Sequence, residues 1–211
     1  MNMYRVMIVE DQKMIRNLLE EYINDNKQYQ LVYSLAGANQ AVDILENETV
    51  DLILMDVQTQ YKENGLLAVK KIKERQPQIK IVVVTSLVDY EVLQLAKKVG
   101  ADSLWYKDGD EKRLMQIIAE TLKGKKIFPN NPPVVEIGTA KSTDFTKGEM
   151  RVLRCLVKGM SYADIGNELF IEVTTVKYHI TNMLQKTNLK NKLQLALVAS
   201  EAKLVVEIND Q

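Results

Sequence analysis

Four apolar runs in the first half of the chain each end on polar residues suited to phosphoryl chemistry. They are Glu10-Asp11 after Tyr4 to Val9, Asp56 after Asp51 to Met55, Thr85-Ser86 after Ile79 to Val84, and Lys107 after Ser103 to Tyr106. In an open α/β sheet, side chains just beyond the carboxyl ends of parallel strands converge on one crevice, so residues far apart in sequence can meet there. Carboxylates, a hydroxyl and one ammonium make a set that suits a divalent cation and a phosphoryl group. Asp56 is the candidate nucleophile, because a carboxylate attacking phosphorus needs the repulsion between anions relieved. Glu10 and Asp11 are placed to hold the relieving cation, and Mg²⁺ prefers a few carboxylates completed by water and phosphate oxygens. Thr85 and Lys107 can meet the charge that develops on the phosphoryl oxygens. No Gly-x-x-x-x-Gly-Lys loop and no Gly-x-Gly-x-x-Gly fingerprint occurs, so nucleotide binding by those routes is not indicated.

The elements needed to position this set are legible. Residues 4 to 123 alternate β-branched runs with segments whose apolar residues recur at i, i+3 and i+4. Strands are expected near 4–9, 31–36, 51–55, 79–84 and 103–106, and helices near 12–25, 38–47, 65–75, 89–98 and 110–123. The first, third and fourth strands are apolar almost throughout, as parallel strands covered on both faces are. The fold predicted is α/β, a doubly wound five-stranded parallel sheet. At Gly124 the helical pattern breaks, and Lys125 to Ser142 holds Pro129, Pro132 and Pro133, three of the four prolines. Proline at this density denies continuous secondary structure, which marks a linker over 124–143 between a first domain at 1–123 and a second at 144–211.

From Thr146 onward the pattern is purely helical. Thr146-x-x-Glu149 and Ser161-x-x-Asp164 read as capping boxes, and Gly159 can end the first helix in the left-handed conformation. Helices are expected near 147–158, 162–169, 174–187 and 191–205, and the second and third, joined by a short turn, have helix-turn-helix proportions. On a helical wheel Val176, Ile180, Met183, Leu184 and Thr187 share one side. Thr174, Thr175, Tyr178, Thr181, Asn182 and Gln185 face away, flanked by Lys177 and Lys186. Hydroxyls, amides and a tyrosine edged by lysines suit a DNA major groove, with polar tips on base edges and charges on phosphates.

Composition bounds the rest. Basic and acidic residues balance at 28 each over 211 residues, but Thr146 to Lys192 holds eight basic against four acidic, a mild lean toward a polyanion. The single Cys155 excludes an internal disulfide and fits a reducing compartment. His179, the only histidine, lies at the edge of the apolar face and has no Cys or second His with which to bind metal. No stretch approaches the roughly 20 apolar residues of a membrane span, and no signal-peptide layout opens the chain, so a cytoplasmic location is expected.

With these residues in hand, positions 3 to 123 resemble the receiver domain of bacterial two-component response regulators. Glu10, Asp11, Asp56, Thr85 and Lys107 fall where that family has its acidic pair, phosphoacceptor, hydroxyl and lysine. The resemblance implies that Asp56 accepts phosphate from a sensor histidine kinase and that the backbone carbonyl of Gln58 completes the Mg²⁺ ligands. Residues 145 to 200 resemble the LuxR/NarL-type helix-turn-helix through Phe145-Thr146-x-x-Glu149, Gly159-Met160-Ser161, Asp164-Ile165-Gly166 and Thr175-Val176-Lys177-Tyr178-His179-Ile180 with Lys186. By that resemblance Lys177, Tyr178 and Thr181 face bases, Thr175 and Lys186 contact phosphate, and the domain dimerises through Leu193 to Leu204. The expected protein is a transcriptional response regulator, a homodimer when active, with DNA as its target and no catalytic turnover of its own.

The chain also departs from the pattern. Val57 to Asn64 lacks the usual Met-Pro, and Gly65 comes one place late, which predicts a longer and altered loop. Leu104 stands where the family has an aromatic that swings inward on activation, so coupling of Thr85 to an aromatic switch does not carry over. Glu172 replaces the Ser expected to cap the recognition helix, forfeiting roughly 1 kcal/mol. Two alternatives stay open: an atypical receiver that regulates transcription without phosphorylation, and an aspartyl-phosphate hydrolase. The hydrolase reading is weakened by Gln58, which sits where such enzymes commonly carry a second acid.

Overall fold

The computed structural model describes residues 3–108 and 110–205, Lys62 by its backbone alone. The chain divides into two compact units, one containing five parallel strands and a second that takes in the chain from Pro132.

In the first unit β1 (Tyr4–Val9), β2 (Tyr29–Leu35), β3 (Leu52–Asp56), β6 (Lys80–Thr85) and β7 (Ser103–Tyr106) form one sheet in the order β2-β1-β3-β6-β7. All four pairings are parallel. Period-two alternation sends Val6, Ile8, Leu52, Leu54, Val82, Val84 and Trp105 to one face, where they bury against Leu19 and Ile23 of α1 (Lys13–Asn24) and Leu114, Ile117 and Ile118 of α5 (Glu111–Leu122). The alternate residues, Met7, Ile53, Met55, Ile81, Val83 and Leu104, are equally buried. Their face is covered by α2 (Ala38–Ile44), α3 (Gly65–Arg75) and α4 (Tyr90–Lys98), which bury Ala41, Val69, Ile72, Leu93 and Ala96. Two covered faces explain why these strands carry unbroken apolar runs. The strand order reverses between β1 and β3, the place where an open α/β sheet offers a crevice.

Element ends shift from the expected ones where local bonds tighten. β2 begins at Tyr29, and α2 stops at Ile44 because Glu46 and Asn47 donate to carbonyls three residues back, at 3.2 Å each. The altered loop after β3 is a small hairpin, β4 (Gln58–Thr59) against β5 (Glu63–Asn64), with Gln58 opposite Asn64 and Tyr61 at its tip in the left-handed region, φ 61°.

The second unit packs α6 (Lys147–Val157), α7 (Tyr162–Leu169), α8 (Val173–Thr187) and α9 (Lys192–Glu201) around Val152, Leu153, Ile165, Val176, Ile180, Met183, Leu195 and Ala199. Both capping boxes form, and Gly159 adopts φ 79° at the end of α6. α9 stops at Glu201, short of the expected 205: Lys203 turns left-handed, φ 54°, and the Leu204 N–H closes onto the Ala199 carbonyl. Glu172 indeed makes no side-chain cap at the start of α8.

The expectation of structureless linker over 124–143 needs correction at its second half. β8 (Glu136–Ile137) and β9 (Ala140–Lys141) form a hairpin whose Ile137 and Ala140 are buried in the helical core. The three prolines all precede this hairpin, so they deny structure only to the stretch before it.

A buried ion pair ties α6 to α8. Lys186 Nζ lies 2.9 and 2.7 Å from the two Glu149 carboxylate oxygens and donates to the Asp144 carbonyl at 2.9 Å. Burial pushes the Glu149 carboxyl up, but the bonds from Lys186 and from Thr146 outweigh burial and hold it below its ordinary value.

Two outcomes follow from this geometry. Glu172→Ser supplies the missing acceptor and should stabilise the second unit by about 1 kcal/mol, read as a raised denaturation midpoint with unchanged slope. Lys186→Met leaves the Glu149 carboxylate buried without its partner, and the unit should lose about 2–3 kcal/mol at neutral pH. Because the folded pKa of Glu149 is depressed, this stabilisation is present above the unfolded value and lost as pH falls through the folded one. The gap between wild type and variant should therefore narrow below about pH 4 in denaturant titrations.

Candidate functional site

β1 delivers Glu10 and Asp11 to the carboxyl edge of the sheet, and local bonds fix the turn there. Glu10 N–H donates to the Leu35 carbonyl at 2.9 Å, Arg16 of α1 reaches back to the Glu10 carbonyl at 2.7 Å, and the Gln12 N–H donates to Glu10 Oε1 at 3.1 Å. Asp56 is the last residue of β3 and is buried. Its Oδ1 accepts from the Val57 N–H at 2.7 Å. Lys107, one residue past β7, places Nζ 2.8 Å from Asp56 Oδ2 and 2.5 Å from Glu10 Oε2, which otherwise lacks a hydrogen-bond partner. The Lys107 N–H in turn donates to the Thr85 carbonyl at 2.9 Å, tying the ends of β6 and β7. Thr85 ends β6 one residue beyond the pairing of Asp56 with Val84, and its side chain is fully buried.

The electrostatics follow from burial. Desolvation raises the Asp56 carboxyl to about 7; Lys107 pulls it down and Glu10 pushes it up again. Burial disfavours the Lys107 ammonium, yet Asp56 and Glu10 together hold its pKa above the ordinary value. Glu10, Asp11 and Asp56 each present a carboxylate oxygen, all within 4.8 Å of one another, with Asp11 exposed at the mouth. An octahedral Mg²⁺ with ligands at about 2.1 Å sets neighbouring oxygens about 3 Å apart and opposite ones about 4 Å apart. The three carboxylates are close enough to hold such an ion after side-chain adjustment, with Glu10 Oε2 facing the Lys107 ammonium. Gln58 lies in β4, two residues past Asp56.

The loop past Asp56 is held by residues outside the set assigned to chemistry. Gly65 starts α3 against the acidic crevice: a Cβ there would fall 1.8 Å from the Asp56 carbonyl oxygen. Asn64 caps α3, accepting from Leu66 at 2.9 Å and Leu67 at 3.4 Å. Asn directly before Gly-Leu-Leu is a legible start signal. Thr59 Oγ1 accepts from the Ala38 N–H at 3.1 Å and donates to the Glu63 carbonyl at 3.3 Å, a role with no local sequence mark.

In the second unit Val176, Ile180, Met183 and Thr187 of α8 face the core, as the wheel predicts. Thr174, Lys177, Tyr178 and Thr181 are exposed, and Thr175 and Asn182 are half-buried along the same outward side. Lys186 differs: its ammonium is engaged by Glu149 and the Asp144 carbonyl, because it lies over the buried carboxylate of the α6 capping box. His179 lies against Gly148, where a Cβ would come within 3.0 Å of its ring. Phe170 makes the turn between α7 and α8 in the left-handed conformation, φ 56°, with 93% of its surface exposed. Among the described residues no helix is long and apolar enough to cross a membrane.

Comparison with known proteins agrees with this division. Residues 6–119 match the family described as "Response regulator receiver domain", and residues 143–199 match "Bacterial regulatory proteins, luxR family". "Response regulator protein VraR" of Staphylococcus aureus (strain Mu3 / ATCC 700698) is 27% identical over 206 residues, covering 95% of this chain and 98% of that protein. Among solved structures, two RcsB dimers bound to two parallel DNAs align with a TM-score of 0.63 at 18% identity, over 94% of this chain and 98% of the other. RcsB from Salmonella enterica serovar Typhimurium, bound to promoter P1flhDC in the presence of the phosphomimetic BeF3-, aligns with a TM-score of 0.63 at 17% identity over the same shares. At such identity the structures speak for the fold alone. The match over more than half of its length, centred on the acidic crevice, places this chain in the response regulator family, as a transcriptional regulator with a receiver domain and a LuxR-type DNA-binding domain.

Proposed function

We propose that Asp56 is the phosphoacceptor and that its phosphorylation by a sensor histidine kinase controls DNA binding by α8. The observation that carries this reading is the buried Lys107 ammonium shared by Glu10 and Asp56, with Asp11 at the rim. In this arrangement Val57 N–H and Lys107 hold one Asp56 oxygen each, so the carboxylate is oriented before any donor arrives. The carboxylate attacks phosphorus, the P–N bond to the donor imidazole breaks, and the departing histidine keeps the electron pair and takes up a proton. Glu10, Asp11, Asp56 and the Gln58 carbonyl would hold Mg²⁺, which supplies charge neutralisation between the entering phosphoryl group and the carboxylate. Lys107 then pairs with a phosphoryl oxygen in place of the carboxylate, and the Thr85 hydroxyl serves as a further donor. The output is a change of conformation rather than turnover.

For the second unit we assign Thr174, Lys177, Tyr178, Thr181 and Asn182 to base edges, with Thr175 on phosphate. A phosphate contact from Lys186 would share its ammonium with Glu149 and the Asp144 carbonyl. On α9, Leu193 and Leu197 stand 76% and 56% exposed one turn apart while Leu195 and Ala199 are buried, an apolar stripe suited to a second copy of the chain in the active homodimer. The receiver is taken as 1–123 and the DNA-binding domain as 144–211, in the cytoplasm where kinase and DNA are reached.

A small acyl phosphate with Mg²⁺ should label the chain once, and Asp56→Asn should remove the label; labelling that persists in the variant would sink the site assignment. On DNA, affinity should fall with salt, and Lys177→Ala should weaken binding and relax the sequence preference at the base pair it reaches. Salt-independent binding would argue against a phosphate-contacting α8.

A further inference from the structure

Each end of the proline-rich segment is clasped by the unit it enters. At the first end, Ile127 forms a parallel bridge to Ser103 at the outer edge of β7. The Leu104 N–H donates to the Ile127 carbonyl at 2.9 Å, and the Ile127 N–H donates to Ser103 Oγ at 3.0 Å. Ser103 and Thr121 are fully buried, and their hydroxyls meet at 2.7 Å, with Thr121 Oγ1 donating to the Ile117 carbonyl at 2.6 Å. Lys97 of α4 stands 5.4 Å over the Phe128 ring. At the second end, the Gly138-Thr139 turn of the β8–β9 hairpin seats on the carboxyl terminus of α8. The Thr139 N–H donates to the Thr187 carbonyl at 3.0 Å, and Thr139 Oγ1 donates to the Lys186 carbonyl at 2.9 Å. The approach is so close that a Cβ at Gly138, φ 60°, would fall 2.1 Å from the Thr187 oxygen.

Helix ends leave their last carbonyls without partners, so whatever donates to them fixes the end of the helix in place. Here the donors come from outside the helical core sequence, from the segment that joins it to the sheet. Between the clasps lie residues 129–134, and Pro129, Pro132 and Pro133 make half of them. The prolines leave such a stretch few backbone conformations, and it bends at Asn130 and Asn131 between them. We infer that residues 127–139 form a two-ended strap that couples β7 of the receiver to the carboxyl end of the recognition helix, with Ser103 and Thr139 as its positioning residues. The coupling enters at Leu104, the position where the family's aromatic switch is absent. It passes through the backbone N–H of that residue, which a leucine supplies as well as a tyrosine.

The inference rests on the reading that phosphorylation of Asp56 controls DNA binding through α8. Its test uses the full chain and a duplex selected from a random library by the wild-type protein, and takes the ratio of Kd without and with beryllofluoride and Mg²⁺. Ser103→Ala and Thr139→Val should each shrink that ratio about threefold or more, while Thr139→Ser keeps it. Labelling by a small acyl phosphate and the salt slope of DNA binding should stay at wild-type values in all three, which a merely destabilising change would not guarantee. Ratios unchanged in both Ser103→Ala and Thr139→Val overturn the strap. A wild-type chain whose affinity ignores beryllofluoride overturns the reading beneath it instead. Should a variant not fold, hydrogen exchange on the wild type decides: beryllofluoride with Mg²⁺ should change exchange of both the Leu104 and Thr139 amides, and a change at Leu104 alone overturns the coupling.

Discussion

The structure of the receiver turns on one cation. Glu10 and Asp56 are buried at adjacent strand ends, and two carboxylates so placed repel each other and lose hydration. Lys107 offsets both costs at once, with contacts of 2.5 and 2.8 Å. Removing one partner of such a buried set costs about 3–5 kcal/mol, several times a helix cap. Much of the surrounding architecture keeps that cation where it is. The Lys107 N–H is tied to Thr85, Arg16 holds the Glu10 carbonyl, and Gly65 lets α3 start against the backbone of Asp56. Even with Lys107 in place, desolvation leaves Asp56 above the ordinary carboxylate range.

The same accounting of charge changes the picture of the helical domain. Counted by sequence, Thr146 to Lys192 leans toward a polyanion. In the structure, Lys186 is neutralised by Glu149, and Lys192 lies 4.3 Å over the Tyr162 ring, so both help to build the domain. On the outward side of α8 the exposed charge is Lys177, among hydroxyls and an amide. The outward face of α8 therefore offers more short polar side chains and less charge than a count over the sequence suggests.

The sheet, its five strands and the strand-end residues were legible because parallel strands buried on both faces write their burial directly into unbroken apolar runs. The capping boxes at Thr146 and Ser161 were legible because their signal spans four residues. What escaped is what depends on distant partners. Thr59 matters because it meets Ala38, 21 residues away. Lys186 looked like a groove-facing charge because the wheel shows its side of α8 but cannot show Glu149, 37 residues earlier. The β8–β9 hairpin escaped because its two residues per strand are too short for periodicity to register. The prolines beside it pointed correctly to a break and gave no sign of where the break ends.

The absence of an aromatic at position 104 is a loss only if the signal must travel by side-chain rotation. β7 is four residues long, about 13 Å, with Lys107 following it and Ser103 opening it. Inside the sheet it is registered to β6 at every residue, from Val82 with Ser103 to Thr85 with Tyr106. A strand so short and so fully paired cannot shift its backbone along β6 without breaking ladder bonds. The outer edge of β7 is held more lightly, because the neighbour there is a single bridge to Ile127 and not another strand. The leucine at 104 is buried, and its backbone N–H, which any residue there would supply, makes the bond to Ile127 across that edge.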